Sequence, residues 1–266
     1  MDLNNLTTTT LTLLRQHKPL IAASTAILLL SGAVPLLSRL ISSYRVWYAL
    51  GPNGLPLNPF GYLFQALASP FARIDTRVPA PYDISQVSQK YGVRTLQSFL
   101  PGSQPLSPRS GPRPDVPTFV GPQRQTSQQA ASQIREGQEA FLHALAAANP
   151  AEIRVRPSNL EGPLFNSLWL AEGLAIRDEI KRLHGEFAHP HGEGSTHLVL
   201  SLKDAADAIE KGWAERHRIS GVGGLMPWGF VLIYAPRDER EMEVWKRFVV
   251  ASARYALGGK GEVVMP

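Results

Sequence analysis

Five of the seven histidines fall between positions 184 and 217: His184, His189, His191, His197 and His217. Residues two apart on a strand project to the same face, so His189 and His191 form a pair. A Gly192–Gly194 turn then returns His197 on the neighbouring strand. Trp213, Arg216 and His217 follow in a loop after the next helix. If these pieces converge, they edge a pocket with several imidazoles, a guanidinium and an indole. Three uses are open to such a cluster. Neutral imidazoles ligate first-row transition metals, one imidazole can act as a general base near neutral pH, and histidines also occupy ordinary surface and turn positions. No Asp or Glu stands at a recognised ligand spacing, and Glu193 follows the pair too closely for the usual barrel-oxygenase arrangement.

Other chemistries are excluded or poorly supported. Cysteine is absent, which removes disulfides, thiolate catalysis, zinc–thiolate sites and iron–sulfur clusters. Gly221-Val222-Gly223-Gly224 lacks the Lys-Ser/Thr of a phosphate loop. Ser195 is not in a nucleophile elbow. Tyr234-Ala235-Pro236-Arg237 ends an apolar run, and side chains at such strand ends often line a site.

The elements that must position these residues are read from hydrophobic period. Thr126 can cap a helix over 126–148 whose stripe is Ala130, Ile134, Ala140, Phe141, Leu145 and Ala148. Glu152 to Arg156 alternates as a strand, and Leu164 to Ile176 is ambiguous between strand and helix. Glu186–His191 and Thr196–Leu202 read as paired strands, and Ser201 with Asp204 opens a helix running to Trp213. Gly229–Ala235 is a buried strand. Asp238 and Glu241 cap a last helix that Gly258-Gly259 ends. The sum is an α+β domain with a largely antiparallel sheet flanked by helices.

Upstream the composition changes. Pro19 to Ser38 holds no charged residue between Lys18 and Arg39, long enough at about 1.5 Å per residue to cross a hydrocarbon core of about 30 Å. Tyr44, Trp47, Tyr48 and Arg45 follow as an interfacial belt. Seven prolines lie between Pro101 and Pro122, yet Phe60, Tyr62, Phe64, Phe71, Tyr82, Tyr91, Phe99 and Phe119 argue for an arm packed on the domain. The expected organisation is a tail over 1–18, a single-pass anchor over 19–41, an arm over 42–124 and the domain over 125–260. An endomembrane location follows, with the side of the membrane unassigned. Net charge is +5, and residues 1–125 carry eleven Lys and Arg against four Asp and Glu. That excess adjoins the apolar run instead of the domain, which fits an anionic membrane surface and argues against nucleic acid.

The run HPHGEGSTHLVLSLKDAADAIEKGWAERHRISG, followed by WGFVLIYAPRDERE, resembles the fungal luciferase family. The likeness continues upstream through Gly111-Pro112-Arg113-Pro114, Gln123-Arg124-Gln125-Thr126, Gly61-Tyr62 and Asn58. The resemblance implies a membrane-anchored oxygenase that adds O2 to a 3-hydroxy-α-pyrone such as 3-hydroxyhispidin, with no cofactor beyond O2 as co-substrate. A divalent metal on the histidines stays open. It implies a base among His189, His191, His197 and His217. Arg216 and Arg237 would steady enolate and peroxide charge, Trp213 and Tyr234 would clamp a planar ring, and Arg113 would join them in binding substrate. The loop between His191 and His197 is shorter than in luminous members, and members also occur in fungi that do not glow. Light emission is therefore separable from fold and pocket. The readings outside this one are a metal-dependent tailoring enzyme of secondary metabolism and a non-catalytic tethered module.

Overall fold

A computed structural model of the chain describes residue 18, residues 31–259 and residues 263–266. It divides into two units, residues 1–49 and residues 50–266. In the first, positions 31–49 are helical (α1), with Tyr44 and Trp47 stacked at 6.1 Å between ring centroids. Most of the expected anchor, positions 19–30, lies outside the described residues. Among the described residues no helix is long and apolar enough to cross a membrane.

The second unit is built on six strands: β1 (Ile153–Ser158), β2 (Gly162–Leu170), β3 (Glu186–Pro190), β4 (Thr196–Val199), β5 (Ala214–Arg216) and β6 (Phe230–Ile233). Their order is β1-β2-β3-β4-β6-β5, and every neighbouring pair is antiparallel. Of the segment ambiguous in sequence, Leu164–Leu170 belongs to the long strand β2, and 171–176 lie in the turn and loop after it. Its register shifts by one residue between Leu168 and Trp169.

Two long helices cover one face. α4 (Ser132–Ala148) buries Ile134, Gln138, Phe141, Leu142 and Leu145, a helical spacing. It starts six residues later than Thr126 predicts. Gln128 has a positive φ of 53°, and the Thr126 amide donates to the Asp115 carbonyl at 2.8 Å, so the chain is still in a turn there. α6 (Glu239–Ala256) opens where the Asp238 side chain accepts from the Glu241 amide. Phe248 and Val249 on it are fully buried, each worth roughly 1.5–3 kcal/mol. Trp245 Nε1 donates to Thr196 Oγ1 at 2.8 Å, which fixes α6 to the face of β4 that carries Thr196. Between β4 and β5 lies α5 (Leu202–Glu210), capped by Ser201.

The register assigns the other face. His189 pairs with His197, His197 with Leu232, and Leu232 with Glu215. Side-chain alternation puts all four on one side of the sheet, opposite Thr196 and α6. β5 falls where the sequence suggested a loop. Glu215 and Arg216 mask its pattern, yet both are buried and paired.

Residues 50–125 contain α2 (Pro59–Ala68), capped by Asn58, and α3 (Ile84–Tyr91), capped by Asp83. Arginines tie this stretch to the sheet. Arg113 donates to the carbonyls of Ala214 and Ile209. Arg109 pairs with Glu241 at 3.2 Å with both side chains buried. Arg216 donates to Pro79 O at 2.7 Å.

Candidate active site

The antiparallel turn between β3 and β4 is closed by two backbone hydrogen bonds, His191 N to Ser195 O at 2.8 Å and Gly194 N to His191 O at 2.9 Å. Gly194 sits at φ +97°, and a Cβ there would stand 2.5 Å from the Ala130 Cβ. Only glycine fits this corner. The turn sets His191 edge-to-face against His197 at 4.6 Å and His189 edge-to-face against His197 at 5.4 Å between ring centroids. His217, just past β5, comes within 4.9 Å of His197. Phe230 on β6 packs against both, at 5.0 and 5.2 Å.

Hydrogen bonds decide where each proton sits. Glu186 Oε1 accepts from His189 Nδ1 at 2.8 Å. The Ser195 hydroxyl donates to Glu193, so it accepts from His191 Nδ1, 2.9 Å away. Gln123 Nε2 donates to Glu215 Oε1 at 3.0 Å and to Arg216 O at 3.2 Å. That fixes the Gln123 carbonyl toward His197 Nε2 at 3.2 Å, which must then carry the proton. Bare lone pairs remain on His189 Nε2, His191 Nε2 and His197 Nδ1. His217 is the reverse case. Its Nδ1 accepts from the Ile219 amide at 3.2 Å, which leaves an N–H at Nε2.

Burial keeps His191, His197 and His217 neutral. It lowers the pKa of His191 to about 4, with Arg124 and His189 pushing the same way against Glu193. It lowers His217 to about 3, helped by His189 and His191. His197 is depressed well below the usual value, by burial first and then by its neighbours. A further carboxylate, besides Glu186 and Glu193, adjoins the cluster. Glu161 Oε1 stands 3.9 Å from His191 Nε2 and is held by Arg124, which also donates to Leu50 O and Pro52 O at 2.6 Å each.

His189, His197 and His217 form one wall of a cavity of about 200 Å³. Apolar residues make most of the rest: Leu55, Phe64, Val120, Leu160, Ile219, Met226 and Phe230, with Gln65, Gln123 and Glu161 among them. Phe64 is 65% exposed and marks the rim, whereas Gln65 is buried with no partner at Oε1. An apolar hollow with a few convergent polar groups is the usual form of a small-molecule site.

The other residues singled out in the sequence sit elsewhere. Alternation turns Arg216 to the opposite side of β5 from Glu215 and His217. It donates to Trp228 O and Pro79 O and lies under Tyr82 and Trp228. Burial presses its pKa down to about 10, so it is charged at neutral pH. Trp213 packs on Phe248 and donates to Ser107 O at 2.7 Å. Tyr234 donates to Glu215 at 3.1 Å, and Arg113 reaches its hydroxyl. Arg237 pairs with Glu241 and with Ser110. None of these five borders the cavity. His184 takes a left-handed turn at φ 54° after the 3-10 segment Asp178–Leu183. Gln123, Glu161, Glu186 and Phe230 were not singled out as site residues. Gln123 is the one with a signal, a polar Gln-Arg-Gln run breaking a proline-rich stretch.

To this histidine-walled cavity on an antiparallel α+β sheet, comparison adds a likeness: residues 184–252 match the Luciferase domain. The match takes in β3, β4, β5, β6, α5 and most of α6. Over most of its length the chain is similar to luciferases of fungi. It is 28% identical to the luciferase of Armillaria ostoyae over 232 residues, 80% of this chain and 79% of that one. Against the luciferase of Neonothopanus nambi it is 29% identical over 250 residues, 88% and 87% of the two chains. The luciferase of Armillaria gallica is 27% identical over 271 residues, 94% and 93%. No solved structure matches.

Proposed function

We propose that the chain is a luciferase-like oxygenase that adds O2 to a 3-hydroxy-α-pyrone of the 3-hydroxyhispidin type, or to a related aromatic polyketide, without flavin, haem or nicotinamide. One observation carries the reading: an apolar cavity walled by His189, His197 and His217, of which burial keeps the last two neutral. The enol hydroxyl of such a substrate is acidic, and the imidazoles of His189 and His197 on the cavity wall are where it ionises. The enolate carbon then delivers electrons to O2, forming a carbon–oxygen bond and a peroxide anion. His217 Nε2–H is the neutral donor placed to receive that charge. Arg216 and Arg237 act through the fold, since neither guanidinium reaches the cavity.

The hollow of about 200 Å³ is below the roughly 300–1,000 Å³ common for ligand pockets. It suits one planar ring, with the remaining substituent passing Phe64 at the rim. The buried Oε1 of Gln65 lacks a partner and suits a substrate hydroxyl. The membrane part of the proposal rests on the uncharged positions 19–38 and on the basic excess of the first 125 residues. An apolar pyrone partitions to such a surface. Oxygen uptake by the purified chain with 3-hydroxyhispidin tests the reaction, with light as a second readout. His217→Ala should cut turnover about 10²–10³-fold, the usual loss for an oxyanion donor. Unchanged substrate with demonstrably folded protein refutes the assignment.

A further inference from the structure

We infer that His189, His191 and His197 together bind one divalent first-row transition ion. One ring nitrogen of each lies within 4.8 Å of the other two. Zinc–nitrogen bonds of about 2.0–2.1 Å put nitrogens about 3.4 Å apart in a tetrahedral site. The rings therefore need to close by at most about 1.4 Å, a side-chain adjustment.

The outer partners point the same way. Metal-bound imidazoles characteristically donate their second N–H to a carboxylate, carbonyl or similar acceptor, which fixes tautomer and orientation. All three rings do so here, to Glu186, to Ser195 backed by Glu193, and to the Gln123 amide. His191 supplies a second observation. Its side chain is fully buried, and its Nε2 has no hydrogen-bond partner, an arrangement that buried polar atoms rarely tolerate. Glu161 Oε1 is the nearest carboxylate oxygen, 3.9 Å from that nitrogen, and it borders the cavity. With no cysteine in the chain, the donor set is nitrogen with oxygen, which suits zinc, iron, copper or nickel. The role of the ion in turnover rests on the proposed reaction. Coordinated there, the enol hydroxyl becomes acidic without a free imidazole base.

The test uses the full chain, purified with a tag other than polyhistidine. Elemental analysis after dialysis should give about one ion per chain. His191→Ala should reduce this at least about tenfold, while His143→Ala, on an exposed ring, leaves it unchanged. If His191→Ala fails to fold by circular dichroism, His191→Gln and a cobalt(II) titration of chelator-treated wild type take its place. The visible bands of a nitrogen-ligated cobalt(II) site are then expected. The inference is overturned if wild type holds less than about 0.1 ion after exposure to each metal and shows no cobalt bands. It is overturned equally if His191→Ala retains the ion. A metal-free chain that consumes O2 with the pyrone removes the ion and leaves the oxygenase. A metal-loaded chain inert to every pyrone does the opposite.

Discussion

Gln123→Leu separates the imidazole wall from the residue that orients it. The substitution nearly conserves volume and deletes three hydrogen bonds: to His197 Nε2, to Glu215 Oε1 and to Arg216 O. Glu215 keeps Tyr234 and Arg77, both at 3.1 Å, so its share of the loss is small. His197 Nε2–H and the Arg216 carbonyl are left without this partner in a buried place, at about 1–3 kcal/mol each. We expect a total destabilisation of about 2–4 kcal/mol, read as a shift in urea midpoint at constant slope. Gln123→Glu should be worse, because it sets a second carboxylate about 3 Å from Glu215. The same variants report on tautomers. In chelator-treated wild type, histidine ¹⁵N shifts should show the His197 proton on Nε2 and the His189 and His191 protons on Nδ1, and Gln123→Leu should scramble His197 alone. Metal affinity in that variant should fall about 10–100-fold, as for other outer partners. A loss below about 1 kcal/mol, or a wild-type His197 proton on Nδ1, refutes the hydrogen-bond logic on which the site was built.

Gly194→Ala should cost about 2–4 kcal/mol in chemical denaturation, because the added Cβ meets Ala130 at a positive φ. Gly173→Ala, also at positive φ but with open space around it, should cost only about 1 kcal/mol, and equal losses contradict the steric account. Tyr234 is raised to about 12, by burial and then by Glu215. The unfolded chain ionises near pH 10, so the stabilisation is complete below pH 10 and is lost as pH rises toward 12. Unfolding midpoints should drop by the equivalent of about 2–3 kcal/mol over that window, and Tyr234→Phe should flatten this component; superimposable profiles rule it out. Removing residues 1–45 should turn a membrane-pelleted protein into a soluble, folded one. A truncated chain that still sediments through salt washes shows the anchor to be misassigned.

What could be read from sequence was local. The Gly-bounded return from His191 to His197, the Ser201 cap and the apolar period of α6 all depend on neighbours within a few positions, and the structure has them. Partnerships across long separations left no trace. Gln123 meets His197 across 74 positions and Arg124 meets Glu161 across 37, which no period encodes. The charges of Glu215 and Arg216 hid β5, since a three-residue strand with two ionised side chains does not alternate visibly. The same alternation sends Arg216 to the face away from the imidazoles, although its neighbour His217 is among them. Trp213, Tyr234, Arg113 and Arg237 have the chemistry of a binding site, but their polar atoms are occupied in joining residues 107–113 to the sheet and α6.

The luciferase domain spans residues 184–252, yet the opposite side of the hollow comes from Asn53–Leu55, Phe64–Gln65, Val120–Gln123 and Leu160–Glu161. On the proposed function, reactivity and selectivity are thus inscribed in separate stretches of polypeptide. A graft of 184–252 alone onto another scaffold would carry the imidazoles without the lining that shapes what they meet. Exchanging Leu55, Phe64 or Val120 retunes the accepted ring while every nitrogen stays in place, so the first half of the chain is where a change of substrate is to be engineered.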